Sequence, residues 1–311
     1  DSPALVNPTI NGVAQSGYSG FKNYIINGGF DVWQRGTSQT AVGYGSADRW
    51  YVYSSGTPVT ASRQVGNTGH NYCISSAGVA GNTDVAYIQN IESLNAKQFS
   101  TSSGILSFWV YSDISRTSKI AIKYPNTADI FTTTTAVILQ DVTFITGWNK
   151  YTLSIPSNTN YSKGMQVSIG GYGMALTSGN FGLAQVQLEE GSVATPFEQR
   201  PYGLELSLCQ RYYEVWQANS SRPMIGIYNQ NGTAYFPVQT FKVIKRVSPT
   251  CSVSSTSTNL MYGGGSYGAY TALAVNAVFN SGFRLQTTGG QSSSPVSFVD
   301  TIITVTASAE L

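Results

Sequence analysis

The chain has 311 residues, of which 41% are hydrophobic, 12% aromatic and only 10% charged, against roughly 25% charged in an average soluble domain. That length supports one large or two ordinary domains with a full core and no need of metal or disulfide staples. Seventeen Lys+Arg against fifteen Asp+Glu leave a net charge of +2, spread without basic runs, which excludes the footprint of a nucleic-acid or anionic-membrane binder. A disordered chain is excluded by the aromatic and β-branched content.

Residues 1–20 mix Pro, Asn, Gly and Ser without a helical period and read as an extended leader or linker. They lack the basic start and apolar middle of a signal peptide, and no run reaches the ~18 apolar residues of a membrane span, so a soluble protein is expected. The first residue is Asp1 rather than Met, as in a processed product or a fragment. From Asn23 onward short runs alternate with the two-residue period of half-buried strands. Ile120, Ile122 and Tyr124 share one face, as do Tyr151, Leu153 and Ile155. Gly-, Ser- and Asn-rich stretches separate these runs and no 10–15-residue helical patterns intervene, which predicts an all-β chain and disfavours Rossmann and TIM architectures. One helix is expected near Pro201–Arg211, where Leu204, Leu208 and Tyr212 recur every four residues. It divides the chain into 21–201 and a second, smaller β-domain at 202–311, where a Gly/Tyr loop, MYGGGSYGAY, precedes a terminal strand.

Cys73, Cys209 and Cys251 are odd in number and far apart, so buried free thiols are expected rather than disulfides or zinc. The lone His70 sits in GNTGHN and reads as an exposed loop residue. Phosphate-binding loops, HExxH, GxSxG and EF-hand patterns are absent, which leaves carboxylate chemistry as the one catalytic option. Adjacent Glu189 and Glu190 point to opposite faces of a strand and cannot act on one bond together; one hydrogen-bonded and one solvated carboxylate are expected. The aromatic residues are the stronger signal, because sugars stack C–H patches on Trp and Tyr while Asn, Gln and Arg supply polar contacts. Trp33, Trp50, Trp109 and Trp148 lie in strand-like apolar runs and are expected in the core. Tyr262, Tyr267 and Tyr270 lie among glycines and are the candidate ligand-binding residues.

Several segments in order, NYIINGGFDVWQRG (23–36), SADRW (46–50), GILSFWVYSD (104–113), GWNKYTLSIP (147–156) and LAQVQLEEGSVATPFEQRPYG (183–203), resemble the jelly-roll carbohydrate-binding-module-like domain of bacteriophage tail-fibre proteins. LCQRYYEVW (208–216) and TAYFPVQTFKVIKRVSPT (233–250) are similar to the C-terminal head domain that follows it. The resemblance implies a jelly-roll β-sandwich followed by a smaller sandwich. It further implies a non-enzymatic virion protein, made in the host cytoplasm, that binds host-surface polysaccharide during adsorption, joins other virion proteins through its N-terminal end, forms a homotrimer and needs no cofactor. The alternatives are a virion decoration protein without a sugar pocket and, more remotely, a glycan depolymerase. Gly28 and Gly29 are expected to permit the turn entering the first strand, and Asp48 and Arg49 to form a charge-assisted pair beneath Trp50. Related modules often hold a structural calcium. Asp31 matches its first acid, but Ala184 and Gln185 stand where an Asp pair is needed, so no metal is expected.

Overall fold

The computed structural model describes residues 21–66, 69–218, 233–257, 269–289 and 302–311 in full, and the backbone alone at 9–10, 13–14, 225–228, 259–262, 267–268 and 296–298. Eleven strands fill the first part: β1 (Ser38–Gln39), β2 (Tyr51–Gly56), β3 (Thr60–Val65), β4 (Tyr72–Ala77), β5 (Asn82–Ile91), β6 (Gly104–Ser112), β7 (Arg116–Thr127), β8 (Ile130–Phe144), β9 (Gly147–Ile155), β10 (Met165–Gly170) and β11 (Asn180–Glu190). They form a five-stranded sheet, β8-β7-β10-β5-β2, and a six-stranded sheet, β9-β6-β11-β4-β3-β1, with every pairing antiparallel. The inner faces of both sheets supply one core, as in a jelly-roll sandwich. Ile120, Ile122 and Tyr124 on β7 meet Tyr151, Leu153 and Ile155 on β9 there, as their alternation requires. Phe99, Phe108, Phe144 and Phe181 are fully buried, each contributing roughly 1.5–3 kcal/mol by leaving water.

The motif-bearing segments work differently from the sequence expectation. Residues 23–36 contain no strand; the chain turns at 26–29 and is held by side chains. Gln89 substitutes for a neighbouring strand, accepting from Ile26 N at 2.8 Å and donating to Ile26 O at 2.9 Å. Asn27, buried and at φ +57°, donates to Val32 O and Asp48 O and accepts from Val32 N. A Cβ on Gly28 would collide with Val186 O, while Gly28 O accepts from Val186 N at 2.9 Å. Glycine is therefore required there for close approach to β11, not for entry into a strand. Asp48 and Arg49 do not pair with each other. Asp48 accepts from Gln34 N at 2.9 Å and lies 3.8 Å from Arg35, while Arg49 turns to Asn90 O, at 2.6 Å, and to Glu310.

A bulge between Ala184 and Gln187, with Gln185 at φ +46°, resets the alternation of β11. Phe181 and Leu183 before it and Val186 and Leu188 after it consequently all face the core. Trp50 is buried and Trp33 is partly buried against the same core, as expected. Trp109 and Trp148 are not in it: Leu106, Phe108 and Val110 occupy the inner side of β6, so Trp109 points outward, and Trp148 opposes outward-facing Tyr111. His70 is half-buried against both tryptophans rather than exposed in a loop, with ring centroids at 5.6 and 4.9 Å.

Within the leader, Thr9–Ile10 pairs with Val13–Ala14, so this stretch doubles back rather than staying extended. The expected junction helix is α1 (Tyr202–Gln210). Its buried residues are Glu205, Cys209 and Gln210, one position along from the expected Leu204 and Leu208, whereas Tyr212, just past the helix, is buried as expected. The reason is ionic: Glu205 accepts from Asn27 N at 2.5 Å and from Arg200 at 3.2 Å, which draws that side of the helix inward. Ile26, Val32, Cys209 and Tyr212 form a small core at this junction, with Leu311 packed against it. Beyond α1, Ile303–Ser308 is flanked by Tyr213–Ala218 and Thr250–Ser255 in a three-stranded sheet, while Ala272–Phe279 and Gly282–Thr288 pair in a second, eight-stranded one. Phe236, Phe283, Leu285 and Val305 belong to the core of this part. Cys73 and Cys209 are buried free thiols, whereas Cys251 is only partly buried.

Candidate functional site

Alternation that buries one face of the five-stranded sheet fixes what stands on the other. Trp50 and Val52 are buried, so Tyr51 and Tyr53 of β2 project outward. Val85, Tyr87 and Ile91 face the core, so Ala86, Ile88 and Asn90 of β5 project with them. Across the sheet Tyr51 lies opposite Ile88, Ile88 opposite Ser168 and Ser168 opposite Ala121. In the next row Asn90, Gln166 and Lys123 are aligned. A tyrosine wall on the edge strand therefore borders a floor of short side chains, which leaves a groove.

Two cavities share Ile88 and run along this face. One, of about 300 Å³, lies among Tyr53, Ala86, Ser168, Lys123 and Tyr172. The other, of about 470 Å³, lies among Tyr51, Asn90, Gln166, Phe131 and Leu311. Both volumes are in the range of small-molecule sites. Tyr172 is the most informative wall. It is 44% exposed and sits at φ +59° between Gly171 and Gly173, both at φ +88°. A bulky L-residue in this region costs roughly 1–3 kcal/mol and is typical of ligand clamps. Lys123 Nζ lies 5.3 Å from the centre of its ring.

The polar floor is preorganised. Gln166 Nε2 donates to Asn90 Oδ1 at 2.9 Å, and Asn90 Nδ2 donates to Leu311 O at 3.1 Å. Asn90 is thereby locked, while Gln166 Oε1 has no hydrogen-bond partner among the described residues. Acids near the groove are already engaged. Asp129 accepts from Ser93 N and Oγ at 2.7 and 2.8 Å, Asp84 accepts from Met174 N at 3.1 Å, and Glu310 pairs with Arg35 and Arg49.

Of the residues singled out from the sequence, Tyr270 is buried, with its hydroxyl 2.6 Å from Ser255 Oγ and 2.8 Å from Ser257 O. Its ring belongs to the second core and does not stand in a recognition loop, because the preceding Tyr267–Ala269 strand leads it inward. Tyr262 and Tyr267 lie on paired strands, Asn259–Tyr262 and Tyr267–Ala269, and their side chains lie outside the described residues. Asp31 accepts from Gln199 Nε2 at 2.8 Å, and among the described residues no cluster of three or more His, Cys, Asp or Glu is placed to hold a metal. Glu189 is buried and accepts from Thr195 N and Oγ1, whereas exposed Glu190 accepts from the Tyr24 hydroxyl, the division expected for adjacent strand residues. The sequence reading passed over Tyr51, Tyr53, Ile88 and Tyr172. The signal was available in WYVY and VAYIQN, whose buried partners push these residues outward, and in GGYG.

No family model matches the chain, and no curated protein sequence does. Among solved structures, it is similar to the CBM4 carbohydrate-binding module, at 16% identity and a TM-score of 0.37 over 53% of this chain and 98% of that one. The N-terminal cellulose-binding domain of Cellulomonas fimi β-1,4-glucanase C matches at 12% and 0.34, over 52% and 100%. The enzymatically active domain of tailspike protein 4 of bacteriophage CBA120 matches at 14% and 0.38, over 54% and 21%. The structural neighbours thus include carbohydrate-binding jelly rolls and a phage tailspike domain.

Proposed function

We propose that this chain is a non-enzymatic phage tail-fibre protein that binds host-surface glycan during adsorption, with the sugar lying in the groove of the five-stranded sheet. The observation that carries the reading is Tyr172, an exposed aromatic ring held in left-handed backbone beside Lys123 and sharing one cavity with Tyr53. Stacking rings, a locked Asn90–Gln166 floor and an open acceptor are the parts a pyranose requires: C–H faces meet the rings and hydroxyls meet the amides. The non-enzymatic part of the reading rests on the resemblance of the sequence segments. Assignment to a virion rests on the ordered sequence segments that resemble tail-fibre proteins, and it carries three further proposals: a homotrimer, attachment through the N-terminal end and synthesis in the host cytoplasm. A glycan array with the purified protein, paired with competition for cell adsorption, tests the reading; retention of polymer length after prolonged incubation tests the absence of cleavage.

A further inference from the structure

The outer face of the six-stranded sheet carries a second groove, built from different chemistry. One row crosses five strands in register: Trp148 of β9, Tyr111 of β6, Gly182 of β11, Ser75 of β4 and Ser62 of β3. It begins with two large rings, falls to a bare backbone and ends in hydroxyls. The Trp148 and Tyr111 centroids are 5.6 Å apart, and His70 packs beside the platform as a brace, 4.9 Å from Trp148 and 5.6 Å from Trp109. A cavity of about 360 Å³ occupies the step between the rings and the hydroxyls.

Gly182 is the telling residue. Glycine in mid-strand weakens a sheet unless something needs the space. Its backbone is not in the left-handed region, and the nearest neighbours of a Cβ there would be Ile74 O at 3.4 Å and Ser75 at 3.5 and 3.6 Å, which is ordinary contact. Folding therefore does not demand glycine, in contrast to Gly28. What the missing side chain leaves open is the floor of the cavity. The lining holds no Asp, Glu, Lys or Arg. Asn180 donates through Nδ2 to Asp113 at 2.9 Å, which fixes its amide beside the cavity, and Gln64 donates to Ser62 Oγ at 3.0 Å at the far rim. Burial also lowers the His70 pKa, which favours the neutral imidazole.

We infer that this face is a second, independent saccharide site that takes an uncharged pyranose segment, stacked on Trp148 and Tyr111 over Gly182 and hydrogen-bonded by Ser75, Ser62 and Asn180. Neutral sugar is selected because a carboxylated or sulfated unit would lose water without meeting a cation. The inference rests on the reading of the chain as a glycan binder, but on other residues than the first groove. Two weak sites on one chain raise attachment to a repeating polysaccharide through effective concentration.

The test is an NMR titration of the intact chain with cellotetraose, xylotetraose, β-1,4-galactotetraose and maltotetraose in wild type, Gly182→Val and the first-groove variant Ile88→Arg, following the Trp148 indole signal, assigned with Trp148→Ala, for this face and the backbone amide signals of Tyr53, Ser168 and Tyr172 for the first groove. Gly182→Val fills the floor with a residue that strands favour, and an unchanged Tm verifies its fold. At least one tetrasaccharide shifts the Trp148 signal in wild type and in Ile88→Arg, and Gly182→Val weakens that response at least tenfold. If tetrasaccharides perturb only signals that Ile88→Arg abolishes, the second site is refuted and the first stands. A response at Trp148 alone supports the second site and removes the first. Silence from all four sugars at both faces counts against both.

Discussion

Arg49 and Glu310, 261 residues apart in sequence, form an ion pair that is nearly closed to solvent. The Arg49 guanidinium also lies 3.5 Å from the centre of the Tyr212 ring and donates to Asn90 O. One cation thus ties together the turn before β2, a groove-floor strand, the end of α1 and the last residues of the chain. Arg35 adds a second contact to Glu310 at 2.8 Å and lies 3.6 Å from the centre of the Tyr213 ring. Breaking a buried pair by removing one partner typically costs about 3–5 kcal/mol, since the remaining charge stays desolvated. Glu310→Ala is therefore expected to lower stability by an amount in that range in urea denaturation. A loss under 1 kcal/mol contradicts the role given to the pair.

The same logic applies to Lys245 and Glu214, 2.6 Å apart with both side chains at 0% exposure. Glu214 also accepts from Lys242 N at 3.0 Å. Glu214→Ala leaves a buried ammonium beside the Gln210 and Val243 carbonyls, and it should destabilise more than Glu214→Gln, which keeps an acceptor. Thermal denaturation of the two variants side by side checks the order, and equal Tm values refute it.

Stability should also respond to pH through Asp48. Burial pushes its carboxyl from 3.8 up to about 6, against the opposing pull of Arg35 and Gln34. Between roughly pH 4 and 6 the folded state keeps a proton that the unfolded chain has released, so this group's contribution falls as pH rises through the window, by on the order of 2–3 kcal/mol. Burial raises Glu205 in the same direction. Asp48→Asn should flatten the wild-type decline in Tm between pH 4.5 and 6.5; parallel curves for the two proteins contradict the assignment.

How much of this was legible in the sequence depends on whether the cause is local. The alternation in KIAIKY and YTLSIP named the inward residues because a strand's side chains have no third direction to take. The same rule misplaced Trp109 and Trp148, since an apolar run does not say which of its two faces is inner; packing against the opposite sheet decides it, where Phe144 lies against Tyr151 and Phe181 with centroids 5.2 and 5.3 Å apart. The bulge at Gln185 reverses the alternation of β11 without any glycine to mark it. Arg49 and Glu310 meet only after the second part has folded back, and nothing near either residue announces the other. Tyr270 shows the converse error, because a glycine-rich surrounding suggested exposure while the ring fills a core.

Trimer formation is expected for the purified chain, with three groove sets displayed in parallel for avidity. Light scattering at micromolar concentration should give three times the chain mass, and a monomer in that range contradicts the proposal.

For the groove, Tyr53→Ala and Gln166→Ala are each expected to weaken glycan binding about tenfold, the loss of one stacked ring or one hydrogen bond. Tyr53 is exposed, so Tyr53→Ala should change Tm little, whereas Gln166 is buried and donates to Asn90, so Gln166→Ala should lower Tm and is compared at matched folded concentration. Affinity loss accompanied by an equal loss of folded protein in both variants contradicts a direct role.

Ile88 lies at the seam where the two cavities of the first groove meet, so one substitution there addresses the whole site. A long cation at this position blocks both halves while the inner face of β5, with Val85, Tyr87 and Ile91, is untouched. The most direct measurement is a glycan array probed with wild type and Ile88→Arg at matched folded concentration. Wild type should bind a defined set of glycans, and Ile88→Arg should lose at least nine-tenths of the signal on glycans read by this groove. Wild type that binds no glycan, or a variant that binds the same set with undiminished signal, contradicts the account.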